Sequence, residues 1–190
     1  MTPTEALCTV WREWSKQDEF PFSPDHCING TRCAIEVLRH FGVQARPVSV
    51  SVVVFNGFAW ELFSERVPVS EWPSHAWSVG VDPRKPHREG QWSGHLVAAG
   101  EDFTLDISAG QFHRPGKIDM PGPILIDGAV GPDGLLVSGR AGMRVLYGLT
   151  PEANEWRTAA GWRLERNAAV IRHVTNLVST VLATEASERN

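Results

Sequence analysis

The chain has 190 residues, 42% hydrophobic and 21% charged, with a formal net charge of -4. That composition describes one globular domain, long enough to bury a core without metal or disulfide staples. Lys and Arg are scattered rather than gathered in a stripe, so no nucleic-acid partner is expected, and no apolar run reaches the ~18 residues of a membrane span.

Met1 to Glu5 lacks the cationic start and apolar core of an export signal, so a cytoplasmic location is expected. The three cysteines are odd in number and form no C-x-x-C pair. They argue against a disulfide framework or a Cys-rich zinc site and for a reducing compartment. Neither a metal nor a cofactor is called for. Eight Trp stand against one Tyr. Trp either fills the core or lines an aromatic cleft.

Thr2-Pro3-Thr4-Glu5 reads as a helix start with a capping box, followed by Leu7, Val10, Trp11 and Trp14 at helical spacing. A loop at Phe20 to Pro24 breaks that helix. Ser23 or Asp25 caps a second helix, which runs to about Phe41 and stops at Gly42. Arg46 to Phe55 is Val-rich and reads as a strand. Asn56-Gly57 signals a tight hairpin into a second strand, Phe58 to Phe63. After a loop at Val67 to Ser74, Ala76 to Val81 reads as a strand. Trp92 to Ala99 and Asp102 to Ser108 read as a hairpin. Gly110 to Pro123 is loop-rich, Ile124 to Ile126 and Gly142 to Tyr147 are strands, and Gly128 to Gly139 holds turns. Thr150-Pro151 starts a short helix. Leu164 to about Thr184 forms a long amphipathic helix with Val170, Ile171, Val174, Leu177, Val178, Val181 and Leu182 in one stripe. Helices first, then mostly antiparallel strands, then a closing helix make an α+β pattern.

Cys27 carries the first chemical signal. Ala34, Val37, Leu38 and Phe41 fall at i, i+3, i+4 and i+7 and form the buried face of the second helix. Counting back seven from Ala34 places Cys27 on that face, in the first turn. Gly30 on the same face permits a close approach to a sheet. The free N–H groups and partial positive charge of a helix N-terminus stabilise an anionic sulfur, and the thiolate is the nucleophile. The same N–H groups are oriented to hold an oxyanion. The plain alternative is a small buried core residue. Cys8 and Cys33 stay under that alternative.

The second signal lies in the hairpin after Trp92. With Gly100-Glu101 as a two-residue turn, Ala99 faces Asp102 and His95 directly faces Asp106. That side is polar and suited to line a site, whereas Leu96, Ala98, Phe103 and Leu105 on the other side are core. An Asp beside a His fixes the ring's tautomer and stabilises its cation. The alternative is a surface ion pair of little energy. His75-Ala76-Trp77 with Asp82 is a rival placement, but His75 and Asp82 lie an odd number of residues apart and would point opposite ways on one strand. His26 leaves the helix roughly 100° around from Cys27 and is a poorer partner than a facing strand residue.

Cys27 on a helix, with His95 and then Asp106 on adjacent strands, resembles the papain-like superfamily, most nearly its transglutaminase-like and arylamine N-acetyltransferase branch. In transglutaminase-like domains the nucleophile helix leads through an apolar stripe to a Gly-Ile-Pro-Ala-Arg-like segment and a Val-rich strand. Here Cys27 leads to Leu38, Gly42-Val43-Gln44-Ala45-Arg46 and Val48 to Val54. The resemblance covers about residues 23 to 110 and implies Cys27 as nucleophile, His95 as base and Asp106 as orienter. The acetyltransferases usually carry Arg-Gly-Gly before the Cys, where this chain has Asp25-His26, so a CoA-dependent member is the less expected one.

The resulting expectation is a single α+β domain over 1–190 with a papain-like, transglutaminase-like core: N-terminal helices on a mostly antiparallel sheet and a long C-terminal helix. Residues 23–110 form the catalytic core and 111–190 a C-terminal extension. The expected activity is acyl transfer or amide hydrolysis on a peptide, protein or small amide or thioester. Trp77, Trp92, Gln17 and His75 are candidates for the substrate groove. The competing expectation is a catalytically silent binding or accessory module with a Trp-rich groove.

Overall fold

The computed structural model describes residues 2–15, 26–84, 92, 94–120, 122–139 and 142–188. The segment from Phe20 to Pro24, the caps proposed at Ser23 or Asp25, and Gln17 lie outside the described residues. Among the described residues four α-helices and seven strands make an α+β fold: α1 (Pro3–Ser15), α2 (His26–His40), β1 (Arg46–Phe55), α3 (Gly57–Ser64), β2 (Ser78–Val81), β3 (His95–Ala99), β4 (Phe103–Asp106), β5 (Ile124–Asp127), β6 (Leu135–Ser138), β7 (Arg144–Leu149) and α4 (Leu164–Glu188). None of these helices is long and apolar enough to cross a membrane.

The capping box at the start of α1 forms, with Thr2 Oγ1 accepting from Glu5 N–H (3.2 Å) and Glu5 Oε2 from Thr2 N–H (2.8 Å). Leu7, Val10 and Trp14 are buried, while Trp11 is half-exposed and donates its indole N–H to the Pro123 carbonyl (3.0 Å). From α2, Ala34, Val37 and Leu38 are buried. From α4, the i, i+4 series Val174, Val178 and Leu182 is buried. These three helices share a core with Ala98, Phe103, Leu105 and Ile107 of the hairpin.

All strand pairs are antiparallel, in the order β5-β4-β3-β1-β7-β6, with β2 also paired to β1. Residues 111–190 thus supply three of the seven strands, and β7 lies beside central β1. The sheet is nearly closed, and a cavity of about 580 Å³ separates its end strands β5 and β6. Its other face carries a second core of Val48, Val50, Val52, Val54, Val97, Val145 and Tyr147, covered by Ala109, Phe112, Ile118 and Met120.

Three local expectations need correction. Asn56-Gly57 is not a hairpin turn: Asn56 is the N-cap of α3, its Oδ1 accepting from Ala59 N–H (2.9 Å). Phe58 to Phe63 is therefore helical, which lets Trp60 and Phe63 pack together on Phe55. The end of β1 pairs instead with β2, Phe55 facing Ser78, and on its other edge with β7, Phe55 facing Arg144. The β3–β4 register is shifted by two residues, since Ala99 faces Thr104 rather than Asp102. Gly100 N–H donates to the Phe103 carbonyl (3.0 Å), so Glu101-Asp102 form the turn. Gly100 serves the Phe103 ring, which lies where its Cβ would be, rather than the turn itself. After Pro151 there are 3₁₀ turns at Glu155–Thr158 and Ala160–Trp162 in place of a short helix.

Candidate active site

Helix α2 is pinned to the hairpin at close range. A Cβ on Gly30 would stand 2.7 Å from Ile107 Cγ2, so only Gly allows this approach. Thr31 Oγ1 donates to the Leu96 carbonyl (2.7 Å). These contacts bring the first helical turn, with Cys27, to the beginning of β3. Cys27, Ile28, Leu96 and Trp156 form a small buried cluster, with Trp92, Ala159 and Trp162 packed against it. The rings of Trp156 and Trp162 meet edge to face at 4.6 Å.

The two-residue shift keeps His95 and Asp106 on one face, because side chains alternate with a period of two. It makes them diagonal neighbours instead of direct partners, still within side-chain reach. His95 Nε2–H donates to Asp106 Oδ2 at 2.9 Å. Both side chains are 0% exposed, so this is not a surface ion pair. The face expected to be polar and to line a site is buried: Val50 faces His95 and Val48 faces Val97 across β1, and these three valines belong to the second core.

Asp106 is held by more than His95. Ser108 N–H donates to Oδ1 (3.1 Å) and Tyr147 O–H to Oδ2 (2.9 Å). Tyr147 lies on β7, three strands from β4, about 14 Å away in a flat sheet. The contact requires the curl that nearly closes the sheet. Burial pushes the Tyr147 phenol well above its usual range, as do the charge and hydrogen bond of Asp106. On the other side of the His95 ring, the Gln111 side-chain amide meets Nδ1, with Nε2 at 2.6 Å.

Burial alone would lower the His95 pKa. The charge and hydrogen bond of Asp106, followed by those of Cys27, overcome it and raise the value to about 10. Cys27 is thus near enough to the His95 ring to contribute to that rise. Comparisons with protein-family models, curated proteins and solved structures find no match.

The described site therefore unites Cys27, His95 and Asp106, and it places Trp92 against the Cys27 cluster. His75 and Trp77 are elsewhere. They line a separate cavity of about 500 Å³ with Asn56, Phe58, Glu61 and Lys117, which none of Cys27, His95 or Asp106 lines. Lys117 Nζ sits 3.6 Å from the centre of the Trp77 ring, and the His75 carbonyl accepts from the Asn56 amide. Sequence reasoning missed Tyr147, Gln111 and Trp156. Tyr147 carried one signal, as the lone Tyr of the chain, set among Val145, Leu146 and Leu149. Gln111 carried none. The indole N–H groups of Trp92 and Trp156 are buried with no partner among the described residues, leaving two unused donors in the wall around Cys27. No group of three His, Cys, Asp or Glu side chains is placed to hold a metal among the described residues.

Proposed function

We propose that the chain is a cysteine-dependent acyl-transfer enzyme or amidase with a papain-like, transglutaminase-like core. The observation that carries this reading is a fully buried His95 gripped by Asp106, with a buried cysteine in the first turn of a helix packed on the adjoining Leu96. A His with a raised pKa beside a cysteine favours the thiolate–imidazolium pair. In the first step the Cys27 sulfur attacks an amide or thioester carbonyl and the S–C bond forms. Backbone N–H groups at the start of α2 offer the oxyanion its donors. His95 then passes its proton to the leaving amine or thiol as the old bond breaks. In the second step His95 takes a proton from water or an amine, which attacks the acyl-enzyme and releases the Cys27 sulfur. Asp106 orients His95 throughout.

Incubation with an activated ester tests the reading. The wild-type chain should gain one acyl group by intact mass and lose it with time. Cys27→Ala should fold normally and gain none. Undiminished turnover in that variant removes Cys27 as the nucleophile. The complete burial of His95 and Asp106 favours a second reading, a silent accessory module that retains the fold. On that reading the wild-type chain acquires no acyl group.

A further inference from the structure

We propose that Gln111 is a positioning residue that latches the resting site: it holds His95 Nδ1 and must swing away before that nitrogen can serve Cys27. The proposal rests on the cysteine-nucleophile reading. Its starting point is a count of ring nitrogens. An imidazole has two, and Nε2 is committed to Asp106 at 2.9 Å. Nδ1 is the one left to exchange a proton with Cys27. Gln111 Nε2 stands 2.6 Å from it. A neutral ring has a single lone pair at Nδ1, so a proton accepted from Gln111 and one accepted from Cys27 compete for the same site. With the ring cationic, the form its raised pKa favours at neutral pH, the amide turns its oxygen to Nδ1–H and competes with the Cys27 thiolate for that proton.

The local chain is built to present this side chain. Asp106 and Gln111 lie five residues apart and grip the ring from opposite sides. Between them the chain turns sharply. Ser108 N–H bonds to Asp106 Oδ1, Gln111 N–H to the Ser108 carbonyl (3.0 Å), and Ala109–Phe112 form one 3₁₀ turn. Ala109 and Phe112 are buried and anchor the turn, with the Phe112 ring 5.1 Å from that of His95. Arg114 Nη1 braces it further by donating to the Gln111 carbonyl (2.9 Å). Gln111 itself is exposed, although the ring nitrogen it touches belongs to a side chain 0% exposed. A solvent-facing side chain with its amide tip on a buried base is a removable cover. Displacing it breaks one hydrogen bond and leaves the turn intact.

The test alkylates the full-length native chain with iodoacetamide at pH 7 and follows Cys27 by peptide mapping, alongside the ring-15N resonances of His95. Gln111→Ala should label Cys27 about tenfold faster than wild type, the equivalent of one hydrogen bond of ~1.4 kcal/mol. Gln111→Met, which keeps the length without the amide, should do the same, and Nδ1 should shift in both. Wild-type and Gln111→Ala rates within about twofold, or a Gln111→Met that behaves as wild type, would overturn the proposal. If a variant unfolds, a scalar coupling between the Gln111 amide and His95 Nδ1 in the wild-type protein decides: its presence supports the latch and its absence overturns it. His95→Ala separates the two ideas. If that variant labels Cys27 as fast as wild type, the nucleophile reading falls while the Nδ1 resonance still decides the role of Gln111.

Discussion

Replacing Tyr147 by Phe probes how the sheet's curl supports the His95–Asp106 pair. Tyr147 is fully buried and donates to Asp106 Oδ2 at 2.9 Å, so the substitution removes one charge-assisted hydrogen bond and leaves the ring in the second core. Such a bond is worth about 1.5–3 kcal/mol. Asp106 keeps its donors from His95 and the Ser108 backbone, so the loss should stay within that range and not reach the larger cost of an unpaired buried charge. For a domain of this size each kcal/mol lowers Tm by about 2–4 °C, which gives an expected fall of about 3–12 °C. Urea denaturation followed by Trp fluorescence should show a lower midpoint with an unchanged slope. In an Asp106→Asn background the effect should shrink, because the two side chains are directly coupled. A change below about 0.5 kcal/mol, or a full effect in both backgrounds, would refute the coupling between β7 and β4.

Gly30→Ala should destabilise by about 1–3 kcal/mol, since its Cβ would meet Ile107 Cγ2 at 2.7 Å, and adding Ile107→Ala should recover part of the loss; strictly additive costs in the double variant would contradict the close approach. The folded-state pKa of His95, about 10, lies above the usual 6.5. Its contribution to stability is therefore fully present below pH 6.5 and is lost as pH rises through about 10. Denaturation midpoints measured from pH 6.5 to 10 should fall, less so in Asp106→Asn, and a rise would contradict the assignment. Burial pushes the Cys33 thiol up to about 12, so at pH 8 it should resist alkylation while exposed Cys8 reacts; equal labelling of the two in the native chain would contradict the packing of α2.

How far the sequence carries depends on the range of the interaction. The buried stripe of α2 and the position of Cys27 within it follow from local periodicity, and both are legible. So is the shared face of His95 and Asp106, because face parity survives a register shift of two residues. The shift itself is not legible: Gly100 resembles a turn residue, yet its bareness serves the Phe103 ring. Asn56-Gly57 misleads for a related reason, since Asn suits both a hairpin turn and a helix N-cap, and here Asn56 also accepts from Trp77 N–H (3.1 Å). The burial of the His95 face depends on Ala109, Phe112, Ile118 and Met120 folding over it, a tertiary event with no local signature. Tyr147 meets Asp106 only because the sheet curls, and Gln111 meets His95 only through the turn after β4.

The most direct test of the central claim is the site of acylation. After brief exposure to an activated ester, the chain is digested and its acyl group mapped. The account predicts a transient adduct on Cys27, absent from His95→Ala, with exposed Cys8 unmodified on the same timescale. An adduct confined to Cys8, or one on Cys27 that forms equally well without His95, would contradict it.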